Sequence, residues 1–501
     1  MKAATGKRRY CGVAGHETLK REGHVKKAVC AVVILVCAAF SSLYAQAAVG
    51  SFPVIFNNLA KSTYADSQIY IYSIGMTGGN WCYMTKDGTM LPMNAADANA
   101  AGHLTKNGKN YPNYPFRLSD AQNFRIPPSV GGGRLYMSVG SPLYMTGDAG
   151  GVQLPDPNNP GDPNDSVFYD WFEYTYIYNQ LQFGGNTTQV DLFGFPYVAT
   201  VRQDAGNGVA TSFLDSCGVN IPRDQIIKYF QDSMSAPFQG CIRPCRVVAP
   251  RSSSQFGTGG TYVNYLKPYL DSLWALWKVT PLSFYNGTQH YIGTVDVNGV
   301  LQFTGAETGS MPEPTTQEVW ACAGFPGYVG AALSAAMNRG VARNGADYYN
   351  PATYYKESTY RNEFSQVLHE ISIHNKAYGF GYDDNNNQSS VLIVGSSQPL
   401  TSLTITIEPF VSGPVATVVS EHQSAANRPG ILYVTGNQIV LKNVDQIADV
   451  ALVSVNGKTV VRNIDVSAGN RVISTLGLAH GAYLVRIRDK QGIVSMAKIV
   501  R

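Results

Sequence analysis

Residues 166–195, SVFYDWFEYTYIYNQLQFGGNTTQVDLFGF, decide how the rest of the chain is read. The stretch is dense in aromatic and β-branched residues, which favour a pleated, half-buried surface. Its first half alternates. Phe172, Tyr174, Tyr176 and Tyr178 take one face of an extended chain, while Glu173, Thr175 and Asn179 take the other, with Ile177 among them. The aromatic row is expected to pack in a core, and the polar row to stand up from a rigid sheet. Gly184-Gly185-Asn186 is the turn signal expected to join this strand to a second one. Asp191, past that turn, shares odd parity with Glu173, so an in-register hairpin with an odd loop puts both carboxylates on one face.

Two carboxylates facing one groove suit acetal hydrolysis. One, held protonated, gives its proton to the departing oxygen; the other activates water or attacks the sugar carbon. Taken alone, a Glu and an Asp on strands are more often solvated surface charges. The pattern nominates the pair without deciding for it.

Working outward, 501 residues are enough for two to four domains. Only 14% of them are charged, against 50 Gly and 31 Tyr, a balance closer to secreted all-β proteins than to cytosolic α/β enzymes. The formal charge of +4 comes from residues 1–47, which hold eight Lys or Arg against two Glu. The remainder is slightly acidic, which argues against a nucleic-acid partner.

Residues 26–48 read as a secretory signal: Lys26-Lys27, an apolar run over 28–40, and the small-x-small site Ala45-Gln46-Ala47. The run is too short for a transmembrane span. Residues 1–24 are long for such a leader, which puts the natural start near Val25. Cys37 lies inside the apolar run and not at its end, against a lipoprotein signal. Past the cleavage site remain Cys82, Cys217, Cys241, Cys245 and Cys322, and export predicts one or two disulfides with a thiol left over. Cys241-x-x-x-Cys245 lacks redox spacing and has no pair of His nearby, so no metal and no cofactor are expected.

Residues 51–165 show short alternating strands at 53–56, 68–72 and 134–139, broken by Gly, Asn, Asp and Pro clusters, as in a sandwich or barrel. The run 155–165, PDPNNPGDPND, is a loop. Residues 196–380 read as the helical part, with helices at 224–234, 262–277, from Thr316, from 331 to a stop at Gly340, and at 360–375. His369 and His374 are expected to pack or hydrogen-bond on the last helix rather than do chemistry.

Several of these stretches share a resemblance. FEYT (172–175) with VDLFGFP (190–196) resembles the core motif of glycoside hydrolase family 64, a Glu-Phe-Thr strand followed by Val-Asp-Phe, Gly and Pro. FPVIFNNLAKSTYADSQIYIYSIG (52–75) is similar to the start of thaumatin-like sheets, where that family also begins. CRVVAPRSSSQF (245–256) and YLDSLWALW (269–277) resemble its Arg-Val-Val-Ala-Pro segment and the Tyr- and Trp-bearing helix after it. Asn362 and His369 match its Asn-x-Tyr-x-x-x-x-His helix, with Phe364 in place of the Tyr; AYGFGYDD (377–384) resembles its Tyr-Ala-Phe-x-Tyr-Asp-Asp turn. The resemblance runs over about 51–411 as ordered motifs.

It implies a mainly β protein with an α/β part: a thaumatin-like sandwich or barrel and a mixed α/β domain forming a crescent around a wide groove. The implied activity is endo-hydrolysis of laminarin- or curdlan-type β-1,3-glucan with inversion, releasing pentasaccharides. Glu173 would be the general acid and Asp191 the general base, their carboxyls roughly 6.5–9.5 Å apart. The gap between them is 18 residues, about two more than the family pattern, so the turn at the groove is altered. Thr175, Asn179 and Thr188 lie where the family binds sugar hydroxyls, although strict alternation puts Thr188 opposite Asp191. Asp383 and Asp384 either line the groove or make a structural turn. Two alternatives from other classes stand beside this one: a glucan-binding thaumatin-like surface protein without catalysis, and a structural surface protein or adhesin.

After Val411 the composition changes. Residues 412–429 form a polar, Gly- and Pro-bearing linker, and ILYVTGNQIVLKNV (431–444) opens a small all-β module with hairpin signals at Asn456-Gly457 and at 489–492. VALVSVNGKTVV (450–461), GLAHGAYLVRIRDKQG (477–492) and MAKIVR (496–501) resemble the C-terminal sorting domain of the type IX secretion system, an immunoglobulin-like sandwich that addresses cargo across the outer membrane. A generic carbohydrate-binding sandwich is the alternative. The expected organisation is therefore a signal region (1–47), a glucanase (48–411), a linker (412–429) and a sorting domain (430–501). The product would be a monomer, secreted or on the cell surface, with β-1,3-glucan and the secretion machinery as partners.

Overall fold

Alternation along residues 168–177 builds the strand at the heart of the larger of two facing sheets. The computed structural model describes residues 48–412 and, farther on, 430–435, 438–442, 447–454, 459–462, 472–474, 482–490 and 494–500. The expected signal region, nearly all of the linker and the turn residues at 455–458 and 491–493 lie outside the described residues.

The sheets are made from β1 (Phe52–Asn58), β2 (Ile69–Thr77), β3 (Ser129–Val139), β4 (Phe168–Ile177), β5 (Leu181–Asn186), β6 (Tyr197–Gln203), β7 (Phe213–Gly218) and β8 (Ser402–Ile407). In the larger one, β5, β4, β3 and β2 run side by side and antiparallel, with shorter strands at each end. The other has the order β7-β6-β8-β1, followed by the short strand Arg125–Ile126. There β1 and β8 are parallel, Val54 beside Leu403.

Phe172, Tyr174 and Tyr176 of β4 are buried in the core shared by the two sheets, with Phe52, Phe183, Tyr197 and Ile405. Each such ring is worth about 1.5–3 kcal/mol of burial. On the opposite face, Tyr169 and Trp171 join Tyr72, Tyr136 and Leu192 in a second core. Glu173 and Thr175 continue that second row and emerge half-buried. The two-residue alternation is thus real on both faces.

The turn, however, is elsewhere. Gly184, Gly185 and Asn186 are strand residues of β5, opposite Thr175, Tyr174 and Glu173. Glycine is needed there for contact and not for a turn. A Cβ on Gly185 would lie 2.5 Å from the Phe172 ring, and one on Gly133 of β3 would lie 2.6 Å from the Tyr174 ring. The chain reverses at 178–180 instead, with Asn179 in the left-handed region at φ 60°, which Asn tolerates better than most residues.

The second part of the chain carries α1 (Arg223–Ser233), α2 (Lys267–Trp277), α3 (Thr316–Ala321), α4 (Gly327–Asn338) and α5 (Glu363–Ile371). They surround a core that includes Phe230, Leu273, Trp277, Trp320, Leu333 and Phe364. Helix α2 begins five residues later than expected, with Pro268 in its first turn. Thr315 and Glu318 close a reciprocal cap on α3. Helix α5 is capped by Asn362, whose side chain accepts the Ser365 N–H at 3.1 Å. It ends at Ile371, so His374 lies beyond it, at φ 57° and 3.3 Å from Asp215. A helical reading of 196–380 also missed a four-stranded antiparallel sheet: Leu282–Asn286, Gln289–Val295, Leu301–Gly305 and Gly309–Met311.

All five described cysteines are free, which corrects the expected disulfides. They are dispersed through different packing environments. Cys217 is in the sandwich core, Cys241 in the helical core, Cys82 on the strand Asn80–Met84, and Cys322 against Gly381. Towards the C-terminus, Gly430–Thr435, Gln438–Lys442 and Val472–Ser474 form one antiparallel sheet. Thr459–Arg462, Ile447–Ser454, Ala482–Asp489 and Val494–Val500 form another. Among the described residues no helix is long and apolar enough to cross a membrane.

Candidate active site

Glu173 projects from the outward row of β4, with 29% of its side chain exposed. Its position follows from the pleat: Phe172 and Tyr174 are locked into the core on either side. Arg134, directly across on β3, places Nε 2.9 Å from Glu173 Oε1, and the Trp171 indole N–H donates to the same oxygen at 3.3 Å. Among the described residues Oε2 has no hydrogen-bond partner, so it is the oxygen left to meet a ligand. An open depression of about 270 Å³ borders it, lined by Trp81, Arg134, Thr175 and Asn186 among others.

Asp191 arrives by a different route. It is not on the strand paired with β4 but three residues past Thr188, in the irregular segment after β5. The main chain holds it. Ala249 N–H donates to Asp191 O at 2.9 Å, and the next two residues pair with Val248 and Val247. Leu192 packs into the sandwich's outer core and Phe193 into the helical core, so the segment crosses the seam between the two parts. The carboxylate accepts from Ser252 Oγ at 3.2 Å, with Arg251 Nε 3.4 Å away, and its side chain is 35% exposed.

Arg134 pairs with Glu173 and feels the charge of Asp191 as well. Burial disfavours its charge, but Tyr136, Glu173 and Asp191 together lift its pKa above the usual arginine value. The same neighbours act on the Tyr136 hydroxyl, which burial pushes up to about 12. Tyr378 lies close enough to Glu173 for its hydroxyl to feel that charge. Burial raises its hydroxyl, and Asp384, Asp383 and Glu173 add to the rise. The Tyr378 carbonyl accepts the Gln189 N–H at 2.9 Å, which ties the 377–384 turn to the segment leading to Asp191.

Of the other expected contacts, Thr175 stays at the site: it lines the depression and accepts the Gly132 N–H at 3.2 Å. Asp384 is exposed and sits near Tyr378. Three expectations change. Asn179 is at the hairpin turn past the end of β4, with four residues of strand, roughly 13 Å, between Glu173 and that end, and accepts from Gln398 Nε2 at 2.7 Å. Thr188 is 3% exposed, folded inward by a turn in which its N–H donates to Asn186 Oδ1. Asp383 is 0% exposed and cannot touch a sugar. It accepts from Arg339, Ser365 and the Gly379 N–H and pairs with His369 Nε2. Burial works against its charge, yet His369 and Arg339 hold the carboxyl below the usual range. His369 is thus a structural partner within this network.

Sequence reading missed Arg134, Trp171, Asn186, Arg251 and Ser252. Arg251 and Ser252 sat inside the quoted 245–256 segment without a role, and Arg134 only marked a strand. It also missed Asp170, a buried carboxyl inside FYDWFEY. Burial pushes its pKa up to about 8, against the pull of the Gly194, Trp171 and Phe195 N–H groups. Among the described residues no group of three or more His, Cys, Asp or Glu is arranged to hold a metal.

Comparison with known proteins bears on this geometry. The family model described as β-1,3-glucanase, of glycoside hydrolase family 64, matches residues 51–407. A glucan endo-1,3-β-glucosidase of Arthrobacter sp. (strain YCWD3) is 25% identical over 79% of this chain and 73% of its own length. One from Cellulosimicrobium cellulans is 24% identical over 76% and 70%. The crystal structure of a family 64 β-1,3-glucanase domain from Clostridium beijerinckii aligns with TM-score 0.64 and 27% identity, over 72% of this chain and 98% of that one. A laminaripentaose-producing β-1,3-glucanase from Paenibacillus barengoltzii, complexed with laminarihexaose, aligns with TM-score 0.58 and 28% identity, over 74% and 78%.

Proposed function

The chain belongs to glycoside hydrolase family 64 and is a glucan endo-1,3-β-glucosidase, and from that premise we infer that Glu173 and Asp191 carry out an inverting single displacement. Glu173 Oε2 delivers a proton to the glycosidic oxygen. Asp191 takes a proton from a water that attacks the anomeric carbon from the opposite side. The C–O bond to the leaving sugar breaks as the bond to water forms, and the configuration inverts. The observation that carries this assignment is the setting of Glu173, whose Oε1 is held by Arg134 and Trp171 while its Oε2, among the described residues, stays unbonded beside an open depression. Thr175 and Asn186 line the depression and would hydrogen-bond sugar hydroxyls, Trp81 offers a ring for a sugar face, and the exposed Asp384, near Tyr378, is a further candidate contact.

The substrate we assign is laminarin- or curdlan-type β-1,3-glucan, cut to short oligosaccharides with the pentasaccharide as main product. Similarity to enzymes described as laminaripentaose-producing supports that length. We read the two facing sheets as a thaumatin-like sandwich and the C-terminal strands as an immunoglobulin-like sorting domain. Among the described residues, seven strands in two antiparallel sheets support the second reading. With the leader at 26–48, this makes the enzyme an exported one.

One experiment tests the reading. Laminarin is digested by the full chain and by a chain ending at Val411, with products followed by chromatography and by NMR of the newly formed anomer. Both should release mainly pentasaccharide, first seen as the α-anomer. A β-anomer at first formation rules out inversion. In the native host the shortened chain should stay in the periplasm, and its normal export would remove the sorting role.

A further inference from the structure

Asp170 is fully buried, ionisable, and has no part in the chemistry above. It stands three residues before Glu173 on β4. Its Oδ2 accepts the Gly194 N–H at 2.9 Å, three residues after Asp191, and its Oδ1 accepts the Trp171 N–H at 2.8 Å. The Phe195 N–H also acts on the carboxyl. One side chain therefore ties the strand that carries Glu173 to the segment that carries Asp191.

The Gly194 peptide is gripped on both sides. Its carbonyl accepts from Arg223 Nε at 2.7 Å, and Arg223 lies over the Phe168 ring with its guanidinium carbon 4.7 Å from the centroid. A Cβ at position 194 would run into the Tyr169 carbonyl oxygen, so main chain meets main chain at this point. Tyr197 adds a further tie, its hydroxyl donating to Trp171 O at 2.6 Å. With no ladder pairing between β4 and residues 191–195, these bonds are the direct ties between the strand of Glu173 and the segment of Asp191, beside those that Ala249 and residues 247–248 make to that segment.

We propose that Asp170 is a positioning residue that sets the spacing of the two reacting carboxylates by holding the Gly194 peptide against β4, a role that rests on the assignment of Glu173 and Asp191 above. A displacement of about 1 Å at a reacting group lowers turnover by on the order of 10²-fold. Asp170→Asn turns an acceptor into an amide that cannot satisfy both N–H groups, and Asp170→Ser keeps one small acceptor in the space.

The test is a double-mutant cycle on an aryl β-laminarioside, measured on chains whose circular dichroism matches the parent. Asp170→Asn or Asp170→Ser should lower kcat by roughly 10- to 10²-fold with KM within about two-fold. Placed in the Asp191→Asn background, either change should add almost nothing; in the Glu173→Gln background it should add its full effect. A loss that persists in the Asp191→Asn background marks a general structural role and overturns the proposal, as does an unchanged kcat in both single variants. If Asp191→Asn alone costs nothing, the base assignment itself falls, an outcome distinct from failure of the tether.

Discussion

The two carboxylates of the site are placed by opposite means. Glu173 is held by repetition: a ten-residue strand, paired on both sides, with buried rings at 172 and 174 fixing which way it points. Asp191 is held by particular bonds, among them Ala249 to its carbonyl, Ser252 and Arg251 to its carboxylate and Asp170 to the peptide beyond it. A periodic element transmits its geometry through many weak constraints, and no single one is decisive. An irregular segment depends on a few. The acid side should therefore resist perturbation that the base side does not.

The largest expected effect separates the two roles. Glu173→Gln and Asp191→Asn should each lower turnover of laminarin by at least about 10²-fold, with binding largely kept. On an aryl laminarioside, whose leaving group needs no proton, Glu173→Gln should recover most of its rate and Asp191→Asn none. Equal losses on both substrates would erase the distinction between acid and base.

A smaller effect tests how firmly the Glu173 side is built. Gly185→Ala sets a methyl against the Phe172 ring and should destabilise the fold by about 1–3 kcal/mol, read from thermal or urea unfolding. The folded fraction should keep its kcat, because the strand's remaining pairs still aim Glu173. A large drop in kcat with stability unchanged would mean that the acid is as delicately held as the base.

The smallest effect concerns pH and falls on the base side. Glu408 follows β8, and its N–H donates to Pro196 O, next to the segment Asp170 holds. Burial pushes its carboxyl from the usual 4.5 up to about 7. The folded chain thus keeps a proton that the unfolded chain has released, and stability should fall as pH rises between those values. Glu408→Gln should narrow the difference in thermal midpoint between pH 5 and pH 8 without abolishing it. An unaltered difference would show that Glu408 is not the group responsible.

The same contrast explains what the sequence disclosed. The alternation at 168–177 was legible because the pleat imposes a period of two on which residues are apolar. Gly184-Gly185 was misread because glycine carries the same letter whether it bends a chain or makes room for a ring on the next strand. Odd parity brought Glu173 and Asp191 together in thought for a reason that does not hold: residues 187–191 leave the ladder, and parity stops counting where pairing stops. Asp383 and Thr188 were expected at the sugar, yet both turn inward, a distinction set by contacts with Arg339, His369 and Asn186 far off in sequence or around a local turn. Arg251 and Asp170 left no signal, since their partners are chosen only by the assembled fold.

The parallel pairing of β1 with β8 also constrains how the molecule comes into being. It joins partners 349 positions apart, so the first long strand of the smaller sheet has only the short strand Arg125–Ile126 beside it until nearly the whole catalytic chain exists. Contacts of such separation enter late, because the loop they close must first be ordered. Until then β1 offers an unpaired edge to any other extended chain it meets. A chain emerging end-first thus remains incomplete in its architecture until its 403rd residue appears, and whatever shields it in the interval decides the yield of active enzyme.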